Sequence, residues 1–357
     1  MNYQKIKSSL LVDLDEASLV STIKKIQKIF ISRQQIDSYM NDPVFVSAYT
    51  LFYMPSNLKK LSYLLKNMPV AVLHTLAQNN FIDYGCGPGT YAIALLNALG
   101  PENFHGKIVL IDKSPTMLAQ ARKVFETFHP TFTNYQTASD YHGSFSSNST
   151  NNTLFFGNSA NELGIHKISK IVQDISPQLL FLLEPGTHEI FSKLIIPLRQ
   201  ILPTWGYQGI YPCHTFNSPC PLDLRKDWCH QMVRSSYDDG IERLSQILSI
   251  DRRTMFMSSL VAQKKDAAQH FKDSGNTDDT KVESGIILRF LNETKHSFEY
   301  QICTDTALLL TLKIEIPKKT LSKKEIIKMK EMIQGTKIKF STIKTIDENK
   351  HLRVMLK

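Results

Sequence analysis

The chain has 357 residues, 42% of them hydrophobic and 21% charged, enough for one large core or two small ones. Fifteen glycines and fifteen prolines exclude a collagenous or wholly disordered chain, and no apolar run approaches the roughly 20 residues of a membrane span. Basic residues outnumber acidic ones 42 to 33, and the excess is local, with thirteen Lys/Arg against five Asp/Glu between Lys313 and Lys357. A basic end on a nearly neutral body is the footprint of a polyanion binder; the plainer reading is a solvated Lys-rich helix over 321–332. The N-terminus carries a short apolar patch followed at once by Asp13, Asp15 and Glu16, unlike a secretory signal or a transit peptide. A cytoplasmic protein, most simply a bacterial one, is expected, with no membrane partner.

Residues 1–76 read as helical, with Leu19, Ile23, Ile26 and Phe30 at helical spacing and a second such stretch over 58–77. This region shows no catalytic constellation and reads as a helical lead-in packed on the α/β region after it. Short apolar strands and amphipathic helices then alternate: strand 81–84, helix 91–99, strand 107–111, helix 115–128. The Ser/Asn/Gly-rich loop 140–152 should be exposed and mobile, and strands at 153–156 and 178–183 flank a helix at 165–172. Such alternation predicts an α/β fold with a parallel sheet covered on both faces. A helix over 187–202 leads into a Pro/Cys-rich insertion, 205–230, followed by strand 254–261 and a polar linker, 264–284. Segments 298–303 and 308–314 read as a hairpin around Thr304-Asp305-Thr306 that ends the sheet. The organisation expected is a helical region over 1–76, an α/β domain over 77–316 and a basic tail over 317–357.

Asp83-Tyr84-Gly85-Cys86-Gly87-Pro88-Gly89-Thr90 follows a strand and opens a helix. Its glycines permit a tight turn and a close backbone approach beside a helix N-terminus. Alone the pattern is weak, but Asp112 ends the next strand, where a carboxylate can accept both ribose hydroxyls of a nucleoside. Ile111-Asp112-Lys113-Ser114-Pro115-Thr116-Met117-Leu118 resembles the second motif of S-adenosylmethionine-dependent methyltransferases. Nicotinamide dinucleotides fit less well, because Thr90 stands where their fingerprint has a third glycine or alanine. A glycine turn serving sheet packing alone is the bland alternative. The cofactor-binding set is Asp83, Gly85, Gly87, Gly89 and Asp112.

Catalytic residues are harder to read. Amino-directed methyltransferases carry Asp/Asn-Pro-Pro-aromatic after the fourth strand, where this chain has Gly157-Asn158-Ser159-Ala160-Asn161-Glu162. Asn158 and Asn161 retain amides for a base, but the prolines and the aromatic are missing. After the fifth strand, Glu184 of Glu184-Pro185-Gly186-Thr187 is either a site carboxylate or a cap for the next helix. Asn158 and Glu184 are the catalytic candidates.

Three of the five cysteines, Cys213, Cys220 and Cys229, fall within seventeen residues. An odd count argues against a disulfide framework, and the spacings are wider than the paired thiols of common zinc modules. Thiolates spread over a loop suit a metal or cluster that takes four sulfurs, with Cys303 as the fourth. His214 or His230 would replace it around zinc, and buried thiols without a metal are the plain reading. Cys86 belongs to the glycine loop.

The glycine loop, Ile-Asp-x-Ser-x-x-Met-Leu, Glu-Pro-Gly-Thr at 184–187, Pro212-Cys213 through Cys220-Pro221-Leu222, Asp227-Trp228-Cys229-His230 and Ile302-Cys303-Thr304-Asp305 together resemble the Rsm22-type methyltransferase-like family. The resemblance implies a class I methyltransferase (Rossmann-like) fold and an S-adenosylmethionine site, and leaves open whether methyl transfer occurs. It also implies a [4Fe-4S] cluster on Cys213, Cys220, Cys229 and Cys303, and a role on the small ribosomal subunit or its rRNA as a monomer off the ribosome. The rivals are a non-catalytic rRNA-binding assembly factor and a small-molecule methyltransferase with structural zinc.

Overall fold

Short apolar runs, each followed by a turn and an amphipathic helix, build the first half of the chain. The computed structural model describes residues 2–32, 40–141, 151–265, 283–304, 310–332, 334–347 and 351–357. These divide into two units, Met1–Glu184 with Val233–Met255 and Pro185–Met232 with Phe256–Lys357.

The first unit opens with helices α1 (Tyr3–Lys7), α2 (Glu16–Ser32), α3 (Pro43–Lys66) and α4 (Val70–Gln78). Helix α3 starts where the Asp42 carboxylate accepts the Val44 N–H and Pro43 takes the first helical position. The alternation follows as β1 (Asn80–Tyr84), α5 (Thr90–Leu99), β2 (Ile108–Ile111), α6 (Pro115–Phe128), β3 (Tyr135–Ala138), β4 (Asn152–Gly157), α7 (Ala160–Ile175) and β5 (Leu179–Pro185). Strand order is β3-β2-β1-β4-β5, and every one of these pairings is parallel. All residues of β2 and β4 are buried, as strands covered on both faces require. This is the expected α/β sheet in the strand order of class I methyltransferases. The order reverses between β1 and β4, so the crevice outside their carboxyl ends is where such a sheet takes ligands.

In the second unit, α8 (His188–Ile190) is capped by the Thr187 side chain and runs through a π-helical turn, Phe191–Ile195, into α9 (Ile196–Ile201). Strands β6 (Tyr207–Tyr211) and β7 (Gln231–Arg234) bracket the cysteine segment. The chain returns to the first unit for α10 (Asp239–Ile247) and then forms β8 (Thr254–Lys264), with which β6 pairs antiparallel. The remaining elements are β9 (Glu283–Glu293), β10 (Ser297–Thr304), β11 (Thr311–Pro317), α11 (Lys323–Glu331), β12 (Lys337–Asp347) and β13 (His351–Leu356). These five strands close into a barrel, β9-β10-β11-β13-β12 and back to β9. Only the β11–β13 pairing is parallel, and the one intervening helix lies between the third and fourth strands, the topology of an OB-type barrel. Tyr300, Ile302, Ile314, Phe340 and Val354 fill its interior with Met329 of α11, whose carbonyl accepts the Tyr300 hydroxyl at 2.7 Å.

Two expectations are corrected here. Within the expected hairpin, 298–303 and 311–314 do pair antiparallel, but as strands of the barrel rather than the end of the parallel sheet, and 308–309 lie outside the described residues. Residues 317–357 are not a tail, since α11, β12 and β13 supply the capping helix and two of the five strands. The physical reason is a pattern of period two. Lys337 and Lys339 are exposed while Ile338 and Phe340, which alternate with them, are buried, so composition averaged over both faces reads as a polar, basic segment. The polar linker lies mostly outside the described residues, as do 142–150 of the Ser/Asn/Gly-rich loop and Asp305-Thr306 of the hairpin turn. Among the described residues, no helix is long and apolar enough to cross a membrane.

Candidate functional site

At the end of β1 the backbone turns sharply, and the Gly85 and Cys86 amides donate to the Ile111 carbonyl at 2.8 and 2.9 Å. Gly85 has φ +72°, and a Cβ there would stand 2.5 Å from the Ser159 Cβ, so only glycine fits. Gly87 has φ +53° and nothing within 4 Å of where a Cβ would be, which leaves its face open to a ligand. Gly89 is the N-cap of α5. Asp112 clamps this loop: one carboxylate oxygen accepts the Gly87 N–H and the other the Ser114 N–H, each at 2.9 Å. Ser114 in turn caps α6 by accepting the Met117 N–H.

Asp83 is fully buried, and neither carboxylate oxygen makes a hydrogen bond of normal geometry. Burial, then the nearby Asp112 charge, pushes its pKa up to about 8, with the Ala92 amide pulling the other way. Asn158 sits at φ +56° just after β4, its Nδ2 donating to the Tyr91 hydroxyl at 2.6 Å while its buried Oδ1 has no partner. Glu184 ends β5 with no exposed surface. Its Oε1 accepts the Ala160 N–H at 2.8 Å, so it does cap a helix, but that helix is α7. Its Oε2 has no partner, and burial raises its pKa to about 8. Asp83, Asn158 and Glu184 therefore lie at the ends of β1, β4 and β5, and each presents a buried oxygen without a hydrogen bond of normal geometry among the described residues. Asn161, by contrast, is exposed. The N-terminal helices contribute more than packing, because the Lys60 ammonium of α3 is held down to about 8 by burial, opposed by the Glu184 charge. Tyr91 stands directly after the glycine loop, and that position is its only signal in the sequence.

In the second unit, Cys213, Cys220, Cys229 and Cys303 line one cavity, together with Arg199 of α9. Neither His214 nor His230 is among its lining residues. None of the five cysteines forms a disulfide among the described residues, and Cys86 is buried in the glycine loop instead. Burial drives the Cys229 thiol well up, and the charges of Cys213, Cys303 and Cys220 add to the effect. As placed, no group of three or more His, Cys, Asp or Glu side chains among the described residues is disposed to hold a metal ion. The segment around Cys229 is braced on all sides. Asp227 forms an ion pair with Arg289 of β9, the Trp228 indole N–H donates to the Gly186 carbonyl at 3.1 Å, and the His230 ring stacks on Trp228 at 5.2 Å.

The family described as "Mitochondrial small ribosomal subunit Rsm22" matches residues 43–306. The chain belongs to the Rsm22 family. Curated proteins yield no match. Among solved structures, the Rsm22-family chain is similar to the magnesium protoporphyrin IX methyltransferase of Synechocystis with bound S-adenosylmethionine, at 12% identity and TM-score 0.36, covering 70% of this chain and 98% of that one. It is also similar to a methyltransferase of Aquifex aeolicus (13%, TM-score 0.34, 67% and 96%) and to a precorrin-6y C5,15-methyltransferase of Geobacter metallireducens (13%, TM-score 0.34, 56% and 93%). The Trp228–Gly186 bond joins two motifs that support the family resemblance, Glu-Pro-Gly-Thr and Asp-Trp-Cys-His, across 42 residues of sequence.

Asp83 and Glu184 hold their protons more tightly folded than unfolded, where carboxyls titrate near 4. Their contribution to stability is whole below about pH 4 and is lost as pH rises to about 8. Urea unfolding of Asp83→Asn should show a smaller drop in stability between pH 5 and pH 8 than the parent chain. One unit of such a shift is worth about 1.4 kcal/mol. An unchanged drop would contradict the burial argument.

Proposed function

We propose that this Rsm22-family protein binds S-adenosylmethionine at the β1–α5 loop, carries a [4Fe-4S] cluster on its four clustered cysteines and acts on small-subunit rRNA. The observation that carries the first part is the Asp112 clamp. A carboxylate offers about four lone-pair sites, and two are taken by backbone amides, which leaves one on each oxygen for the two ribose hydroxyls. The open face of Gly87 and the unsatisfied oxygens of Asp83 and Asn158 fit the same polar cofactor. Bound there, S-adenosylmethionine would supply an electrophilic methyl group on a good leaving group. The chain's part is to orient and desolvate: Asn158 Oδ1 can accept an N–H of a base, and Glu184, kept protonated near neutral pH by burial, can donate a hydrogen bond.

The donor chemistry of the second cavity fits four-sulfur ligation, since it gathers four thiols in a largely apolar setting and excludes both candidate histidines. Zinc is the alternative occupant. For RNA, the support is an OB-type barrel whose capping helix α11 exposes Lys323, Lys324 and Lys328. The family's description supplies the small ribosomal subunit as the partner. A non-catalytic rRNA-binding factor is the second reading. It is favoured by Asn158, whose amide is already spent on Tyr91, and by the missing Pro-Pro-aromatic segment.

Asp112→Ala should weaken S-adenosylmethionine binding by about 1–3 kcal/mol in calorimetry; equal affinity would remove the ribose assignment.

Protein purified without oxygen should contain iron and acid-labile sulfide. Cys303→Ser should lose them and Cys86→Ser should not. Stoichiometric zinc without sulfide would refute the cluster.

Replacing Lys323, Lys324 and Lys328 by glutamine should flatten the salt dependence of rRNA binding, by about 0.7 of a log–log unit for each phosphate no longer neutralised. An unchanged slope returns α11 to a merely solvated helix, and a radiolabelled methyl-transfer assay on small-subunit rRNA separates enzyme from assembly factor.

A further inference from the structure

The cavity lined by the four cysteines also contains a guanidinium. Arg199 is 3% exposed, and among the described residues it pairs with no carboxylate. Its Nη2 donates to the Thr215 carbonyl at 3.2 Å and to the Ser218 carbonyl, both in the loop between Cys213 and Cys220. Among the described residues its Nε has no hydrogen-bond partner. Phe191, Ile195, Leu198 and Leu202 are buried along the same helical run, so an apolar side chain at 199 would satisfy packing. Arginine cannot escape burial by losing its proton, and an isolated charge in an apolar setting is strongly unfavourable. Backbone carbonyls orient the guanidinium but bring no net charge to balance it.

The missing element is an anion, and the residues around the cavity can form one. Four thiolates on a [4Fe-4S] core leave a net charge of about two negative units when oxidised and one more when reduced. We propose that Arg199 is the counter-charge of this sulfur site, a positioning residue that raises the reduction potential of the bound cluster without ligating it. The inference rests on reading the four cysteines as cluster ligands. A positive charge beside the cluster favours the added electron, so its removal should make the cluster harder to reduce.

The test uses the full chain purified without oxygen, with iron and sulfide analysis and an EPR-monitored redox titration. Arg199→Gln keeps a donor for the two loop carbonyls and removes the charge, while Arg199→Lys keeps the charge and loses the planar fork. The expected result is a more negative midpoint potential in the glutamine variant, with the lysine variant close to the parent. A glutamine variant that takes up no iron beside a loaded lysine variant supports the counter-charge equally. One potential shared by all three proteins would overturn it, and so would loss of iron from both variants, which marks a purely loop-holding role. The parent chain is measured first: if it lacks iron and sulfide, the cluster reading fails and takes this inference with it, whereas a loaded parent with an unmoved potential sinks the inference alone.

Discussion

Burying an ionisable group without a counter-charge is among the least favourable things a fold can do, at several kcal/mol for each ion. Three ionisable side chains that this chain buries with no ion pair among the described residues define its two sites. Asp83 and Glu184 end β1 and β5 with no exposed surface, and Arg199 lies under the cysteine loop. The carboxyls escape most of the penalty by holding their protons, which is why both are raised to about 8. Arg199 has no such escape. A sequence selected for stability alone would replace all three with apolar or amide side chains of similar size. Retaining them makes sense where a ligand completes the electrostatics, and strain of this kind concentrates at functional sites.

The first site is nearly legible in the sequence because its geometry is local. The glycine loop, the strand before it and the helix after it are contiguous, and Asp112 follows at the end of the neighbouring parallel strand, where a βαβ unit must bring it. Helix α6 spans the predicted residues, since Pro115 and Ser114 mark its start unambiguously. What the sequence does not show is the division of labour at Glu184. Its cap on α7 reaches back 24 residues, and that reach depends on β4 and β5 lying side by side.

The barrel is hidden for the opposite reason. Its closure depends on two non-local pairings, β11 with β13 and β9 with β12, and β9 follows the linker while β12 lies beyond a helix. Strands β10, β11 and β13 alternate apolar and polar residues and β12 does so over 337–340, while the lysines of α11 and β12 make the last segment read as a tail. Arg199 is equally hidden. Its one signal is a charge within an apolar helical run that includes Phe191, Ile195, Leu198 and Leu202, and a single charge there ordinarily means a helix edge.

Cys303 shows how the barrel and the cysteine loop depend on each other. It lies on β10 between Ile302 and Thr304, and Ile302 belongs to the barrel interior, so the alternation of the strand turns the Cys303 side chain outward. Ile286 of β9 pairs with Cys303 in register and lines the same cavity. The barrel therefore presents one thiol and an apolar surround, while the loop between β6 and β7 presents the other three. That loop has no helix or strand of its own between Tyr211 and Gln231, and what braces it are Trp228, the Asp227–Arg289 ion pair and the Arg199 hydrogen bonds to its carbonyls. A four-sulfur ligand would add covalent-strength ties between loop and barrel, and its binding free energy would appear as stability of both. Losing the ligand would leave Arg199 without an anion and the loop without its strongest tether at the same moment.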